Sequence, residues 1–569
     1  MLAREPGATS LTQRFFDVCY RAAARLRRWR PLARLDGYDL AAVLLFSTLI
    51  ALVAFTFGDY AISNDEEVQQ RYGELIVAYY ASGFVDQALF HFRNLYLYGG
   101  LFDVIAVGLK KLIPLDPYAV RHLLTAATGV GGIAAVWAAA RTIAGPRAGL
   151  LAAAALAVCG TWYGAMFNHT KDIPFAAAMM GALYVLVLIG RELPRPRWHL
   201  IVAFGVLCGC ALGIRVLGVF LIGYAAIAAA VYVPVGRGVP WRKACAFLAR
   251  SALPLGAAFI IAYLIMIAAW PYAALAPLNP LRAMTAFVDF NYPIQTVLAG
   301  HVYRMADVPR WYVPTYIAIK LTLWLLVGAG LALVLAILPQ RAVHPGASAW
   351  RRETALMAVA AFFPLMCEVI ASGPAFTGLR HFLFTVPPIA VLAGLGLDGL
   401  LRRLENSHRP AAAFAGVLVV LGFGWNATTL YRLHPDEYLF FNPLVGGLAG
   451  ASRSYATDYW VNIMPEAVGD LEHFLDRTER TSGNVRLWHH YLVAVCGERL
   501  SFEKEADGRL EWTRDLRHAD FFIAPTHMNC DRAFDGQVIA TIERLGVVIG
   551  VVKDRRAEIG RSVAGVAIR

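Results

Sequence analysis

A mostly α, polytopic membrane protein with a small α/β domain outside the bilayer is the fold class this sequence predicts. Three observations predict it. The 569 residues are 58% hydrophobic and only 16% charged, with a mean hydropathy of +0.53, which is membrane composition. Eleven apolar stretches are long enough to cross a hydrocarbon core of about 30 Å. Beyond about residue 431 the chain turns to mixed polar and apolar residues.

The N-terminal segment, 1–38, is Arg-rich, with Arg21, Arg25, Arg27, Arg28, Arg30 and Arg34. It lacks an apolar core followed by small residues, so no cleavable signal is expected and the first apolar stretch is read as an anchor. Clustered Arg holds this segment in the cytoplasm. The membrane part, 39–430, has apolar stretches near 40–57, 119–140, 147–166, 174–190, 199–214, 217–233, 247–270, 313–337, 354–371, 382–400 and 411–430. Alternation places the clusters Arg141/Arg147, Arg191/Arg195/Arg197, Arg237/Arg242/Lys243, Arg341/Arg351/Arg352 and Arg402/Arg403/Arg409 on the cytoplasmic side too, as the distribution of Lys and Arg in membrane proteins requires. The net charge of +12 is therefore topological, and nucleic acid is not an expected partner.

Residues 95–113 could pass for a further span, but Asp103 and Gly99–Gly100 interrupt them. They are read as a juxtamembrane or re-entrant helix within a first external loop, 58–118. The aromatics between Trp270 and Tyr312 suit interfacial anchoring. In the tail, 431–569, runs such as VRLW (485–488), DFFIAP (520–525) and VVIGVV (547–552) alternate with the helical pattern at 465–478, the signature of an α/β layer. No Gly-rich phosphate loop is present, so no nucleotide site is assigned. Cys496 and Cys530 fall in this tail; their spacing decides nothing, and two buried free thiols are expected over the alternative of a bridge.

Two acidic loops lie on the external side, SNDEE at 63–67 and NHTKD at 168–172. Carboxylates so close to apolar spans are costly and usually functional. Asp65 and Glu66 precede an amphipathic pattern that lies along the membrane surface, where a carboxylate can deprotonate a hydroxyl or hold a divalent cation. Asp172 sits at the start of a span, before Pro174, where a helix N-terminus stabilises it. Lys171 beside it, Arg215 in a tight external turn and Arg380–His381 at another external end are candidate phosphate ligands, with Arg93 a further one. Taken as structure alone, Asp172 is a cap and Arg380 a snorkelling side chain. Taken together, acids and cations at one interface suit a phosphate-bearing lipid substrate. Composition alone leaves three readings open: an enzyme, a transporter or flippase of lipid-linked sugars, and a non-catalytic scaffold.

The strings DEEVQQRYGE (65–74), NLYLYGGLFD (94–103), NHTKDIPFA (168–176), GLRHFLFTVPP (378–388), HPDEYLFFNPLVGG (434–447) and ATDYW (456–460) resemble the bacterial, lipid-carrier-dependent members of glycosyltransferase family 39. That family lies in the GT-C superfamily, with the protein O-mannosyltransferases and aminoarabinose–lipid A transferases. The resemblance implies a GT-C fold in a bacterial inner membrane, with the active site on the periplasmic face. It implies transfer of a sugar, with inversion, from a polyprenyl-phosphate donor to a protein, lipid or glycan acceptor. It maps the first-loop base or metal ligand onto Asp65, with Glu66 adjacent, the second-loop acid onto Asp172, and a donor-phosphate contact onto Arg380. A divalent metal at Asp65 and Asp172 is part of that expectation. The family's second-loop pattern is Asn-Pro-Lys-Asp, whereas His169–Thr170 precede Lys171 here. The tail is expected to border the acceptor entrance, and its removal to spare donor binding.

The topology is checked by cysteine accessibility. Tyr455→Cys should react with an impermeant thiol reagent from outside and Pro196→Cys only from the cytoplasm; the reverse pattern would invert the assignment.

Overall fold

The computed structural model describes residues 36–234, 240–288, 293–338, 347–371, 373, 375–482 and 490–558. The basic segment up to Arg34, Arg237, Arg341, Tyr292 and the expected VRLW strand lie outside the described residues.

Among the described residues, seven helices are long and apolar enough to cross a membrane: Gly37–Thr56, Pro117–Ala144, Asp172–Glu192, Trp241–Ala269, Ser348–Ala371, Arg380–Ser407 and Arg409–Leu433. The other four apolar stretches are not single straight spans. Pro146–Ala157 with Gly160–Asn168 is bent by 68°, and Tyr312–Lys320 with Leu323–Ile337 by 110°. Trp198–Leu212 and Val216–Val231 are shorter apolar helices. Arg380–Ser407 is the innermost, with 94% of its most apolar window buried, so it packs on protein where Arg409–Leu433 offers most of its surface outward. The backbone leaves the helix at each bend, where Cys159 and Thr322 are extended residues. Such irregular backbone is tolerated at membrane depth when protein covers it.

Residues 95–113 form no span. Leu101–Lys110 is a helix of 10 residues, about 15 Å long at the α-helical rise. It is docked by Leu101 N–H on Gly213 O at 3.0 Å and Gly100 N–H on Ala269 O at 3.2 Å. The amphipathic helix Glu66–Ala81 packs across it; a Cβ on Gly73 would meet Asp103 O at 2.8 Å, so only glycine allows this approach. Anchoring is the wrong account of two of the aromatics: Trp270 and Tyr312 are fully buried, whereas Trp311 is exposed. The Trp270 indole donates to Tyr96 O at 2.7 Å, tying the span end to the first loop.

The helix ends sort by charge. Arg141 pairs with Asp39, Arg147 and Arg402 with Asp398, and Arg191 with Glu353. Asp172–Glu192 carries Asp172 at one end and Arg191 at the other, so these pairs lie a membrane thickness from the acidic loops. Arg141, Arg147, Arg191 and Arg402 are thereby each held by a buried acid, while Arg195, Arg197, Arg242, Lys243 and Arg409 are exposed.

A short antiparallel hairpin, β1 (Gln295–Leu298) and β2 (His301–Arg304), precedes the tail. The tail sheet comprises β3 (Tyr491–Val495), β4 (Leu510–Trp512), β5 (Phe521–Pro525), β6 (Gln537–Arg544) and β7 (Val547–Asp554) in the order β4-β3-β5-β7-β6. β3 runs parallel to β4 and β5, and β7 antiparallel to β5 and β6. Helix Met464–Ser482 covers the sheet, with Ile463 against Gly550. Sequence reading placed this helix, β5 and β7; β3, β4 and β6 escaped it.

Cys496 and Cys530 are joined as a disulfide, with Cα atoms 6.6 Å apart, which corrects the expectation of two free thiols. The parallel register sets Val495 opposite Ile523. Cys496, one residue on, therefore reaches the turn after β5 that carries Cys530. Mass spectrometry of the alkylated full-length protein should find both tail cysteines blocked until reduction. Replacing both by Ser should lower the melting temperature, the loss being at most about 4 kcal/mol for a loop of this length.

Candidate active site

The first loop separates its adjacent acids. Asp65 precedes helix Glu66–Ala81 without a side-chain cap bond, and its carboxylate is 39% exposed. Glu66 is fully buried and accepts from Ser63 N–H at 2.8 Å and Ser63 Oγ at 3.0 Å. His122 lies 3.1 Å from it. Ser63 Oγ also donates to Asn168 O at 3.2 Å, joining the two acidic loops. Glu66 thus holds the loop in shape and turns away from the solvent-facing acid.

Asp172 opens its helix and is fully engaged. Its Oδ2 accepts from Arg380 Nε at 2.9 Å, and its Oδ1 pairs with Arg215 Nη2. Arg380 Nη2 then reaches Asp65 Oδ2. One guanidinium, itself only 9% exposed, bridges the two loops, and the co-location that the topology argument anticipated is a chain of ion pairs. Arg380 is delivered by the 3₁₀ turn Arg380–Thr385, and Arg215 by an extended residue between two short apolar helices.

Lys171 takes a different part. Its ammonium lies 4.5 Å from the Tyr98 ring centroid and 5.8 Å from that of Tyr72, a cation–π arrangement. Burial pushes the amine below its ordinary range, opposed by Asp103 and Asp65. Asp65, Arg93, Lys171, Arg215, Arg380 and His381 all line one cavity of about 510 Å³, floored by Tyr98 and Gln69. Arg93 is exposed at its rim in a left-handed conformation, φ 51°. His381 packs edge-on against Phe376 at 4.6 Å. Four basic side chains face two carboxylates, an excess of positive charge suited to a phosphate.

A divalent metal shared by Asp65 and Asp172 does not fit these residues. Both oxygens of Asp172 hold guanidinium groups, and Arg380 occupies the space between the acids. Among the described residues, no cluster of three His, Cys, Asp or Glu side chains is set to ligate a metal.

Several site residues were not found from sequence. Arg121 and Asp103 form a fully buried ion pair at 2.6 Å, with Arg121 also donating to Gln69 and Gln70 at 3.3 Å. Thr170 donates to Gln69 as well. The odd Asp103 was the available signal; its partner Arg121 lies near the start of the helix Pro117–Ala144. Trp460 is the second omission. Its ring lies 4.4 Å from the Arg380 guanidinium, so the tail is a wall of the site. The expectation that removing the tail spares donor binding has no support in this packing.

Residues 116–273 match the family of dolichyl-phosphate-mannose-protein mannosyltransferases. That stretch holds Arg121, the second acidic loop and Arg215, and the match accords with the resemblance seen in the motifs. No curated protein matches the chain. Among solved structures, ArnT from Cupriavidus metallidurans bound to undecaprenyl phosphate is similar at 16% identity and a TM-score of 0.47, over 91% of this chain and 99% of that one. The Archaeoglobus fulgidus oligosaccharyltransferase AglB, in complex with an inhibitory peptide and a dolichol-phosphate, is similar at 10% identity and a TM-score of 0.41, over 86% and 70%. The arabinofuranosyltransferase AftD from Mycobacteria is similar at 11% identity and a TM-score of 0.40, over 90% and 40%.

The linker to the tail is pinned by a titratable group. His434 Nδ1 contacts Glu437 at 2.7 Å and Nε2 contacts Asp59 at 3.0 Å. The Glu437 hydrogen bond is the main cause that lifts the imidazole from its ordinary 6.5 to about 9. A raised folded-state pKa stabilises fully below pH 6.5 and is lost as pH rises through 9. Thermal melts across that window should fall with pH for the wild type and less steeply for His434→Asn; parallel curves would contradict the assignment.

Proposed function

We propose that the protein is a membrane glycosyltransferase that moves a sugar from a polyprenyl-phosphate donor to an acceptor hydroxyl on the external face, with inversion. The observation that carries this reading is the Arg380 bridge between Asp65 and Asp172 at the wall of a cationic cavity. Arg matches phosphate oxygens with two parallel donors. Asp172 keeps one hold on Arg380 through Nε and another on Arg215, so both cations stay oriented while their outer N–H groups turn to a ligand. The donor phosphate then competes with Asp65 for Arg380, and binding releases the half-exposed carboxylate at the place where an acceptor must approach.

In this reading the acceptor oxygen attacks the anomeric carbon while the bond from that carbon to the phosphate oxygen breaks. The acceptor proton passes to Asp65, and the electron pair of the broken bond stays on the lipid phosphate. Arg380 and Arg215 stabilise the charge that develops there, as fixed donors do best in a site closed to water. Lys171, on its aromatic bed, and Arg93, at the cavity rim, supply the remaining positive field, and His381 lines the cavity wall beside them. Glu66 is a positioning residue, holding the loop through Ser63 and His122. The tail borders the acceptor side, and the bacterial inner membrane with a periplasmic site follows from the Arg distribution and the motif resemblance.

A transfer assay with purified protein and a polyprenyl-phosphate sugar tests the assignment. Asp65→Asn should lower turnover by about 10²–10⁴ while leaving donor affinity the same or tighter. Arg380→Ala should weaken donor binding by roughly 1.5–3 kcal/mol, and Arg380→Lys should restore it in part. Near-normal turnover in Asp65→Asn would remove the base from this scheme, and unchanged donor affinity in Arg380→Ala would remove the phosphate cradle.

A further inference from the structure

The guanidinium at the centre of the site is gripped from behind by a set of aromatic and imidazole groups with no place in the scheme above. Trp460 Nε1 donates to His169 Nε2 at 2.9 Å, and the Tyr459 hydroxyl meets the same nitrogen at 2.7 Å. His169 Nδ1 lies 3.1 Å from Asn168 Oδ1. An indole N–H can only donate, so Nε2 is the acceptor and the proton sits on Nδ1, where it donates to Asn168. The tautomer is fixed by Trp460. Protonating His169 would set two N–H groups against each other, and burial accordingly holds its pKa down, at about 3.

His169 and Trp460 are both nearly fully buried. They come from different parts of the chain, the second acidic loop and the linker to the tail, and the bond between them fixes where the Trp460 ring lies. That ring is the face on which the Arg380 guanidinium rests. Asp172 and Asp65 fix the edges of the guanidinium and Trp460 fixes its plane. A planar, bidentate phosphate ligand needs both.

We propose that His169 is a positioning residue for donor binding: by accepting the Trp460 indole N–H it seats the ring that sets the plane of Arg380, making the tail linker part of the lipid-phosphate clamp. This rests on the reading of Arg380 as a phosphate ligand. Gln at position 169 keeps an acceptor oxygen near the site of Nε2; Phe keeps a ring and has none. Trp460→Phe keeps a ring and removes the donor.

Binding of polyprenyl phosphate to the detergent-solubilised full chain is measured for the wild type, Arg380→Ala, His169→Phe, His169→Gln and Trp460→Phe, with folding checked by thermal melts and KM and kcat taken in the transfer assay. His169→Phe should bind about tenfold more weakly, the scale of a displaced cation–π contact, with the loss seen in donor KM and not in acceptor KM. His169→Gln should recover most of it, and His169→Phe with Trp460→Phe should bind no worse than the poorer single variant. Wild-type affinity in folded His169→Phe or in Trp460→Phe overturns the proposal, as does a His169→Gln no better than His169→Phe. If His169→Phe does not fold, Trp460→Phe decides alone, weaker binding supporting and unchanged binding overturning. Should Arg380→Ala also bind like the wild type, the phosphate cradle itself fails, an outcome distinct from failure of the His169 contact alone.

Discussion

Asp172 is a carboxylate at the start of an apolar helix, buried to 3% exposure, and everything around it follows from the need to keep that charge paired. Burying an ion costs several kcal/mol unless charged partners and hydrogen bonds replace water. Here the replacement is two guanidinium groups, Arg215 and Arg380, brought in from two other parts of the membrane domain. Each arrives on backbone that has left a regular helix. The short helices at 198–212 and 216–231 and the 3₁₀ entry to Val386–Ser407 are therefore consequences of the same constraint. Arg380 has donors to spare beyond Asp172, and these reach Asp65 at the cavity wall.

A second constraint keeps this arrangement rigid. The first loop is fastened to the tail by Tyr60 on Glu437 at 3.0 Å and by Ala61 N–H on Asn462 Oδ1 at 2.8 Å. The second arm of the bent pair, Gly160–Asn168, lets the tail linker approach its backbone, since a side chain on Gly164 would collide with Tyr438 N. The tail is built into the membrane part along this seam and is not a separate cap resting on it. The same seam places Trp460 under Arg380, which is how a soluble segment comes to touch the charge network at the membrane surface.

The parts of this architecture legible in the sequence were those set by local composition. Apolar length marked the spans, Arg clusters their basic ends, and isolated acids the loops at 63–67 and 168–172. The meeting of Asp65 and Asp172 followed from sidedness. The rest depended on pairings distant in sequence: Arg121 with Asp103, Arg380 with Trp460, Glu66 with His122. Periodicity carries no information on these, and the sequence placed Glu66 beside Asp65 without showing that the helix start turns the two apart. The disulfide was missed for the same reason, because only the parallel register of β3 and β5 brings Cys496 to Cys530.

The central claim is that Arg380 exchanges one carboxylate for the donor phosphate. An experimental structure of the protein with bound polyprenyl phosphate measures this directly. The account predicts Arg380 Nη atoms on phosphate oxygens, Arg380 Nε still on Asp172, and Asp65 released from the ion pair and facing open space. A phosphate seated elsewhere, with Arg380 still closed on Asp65, would contradict it.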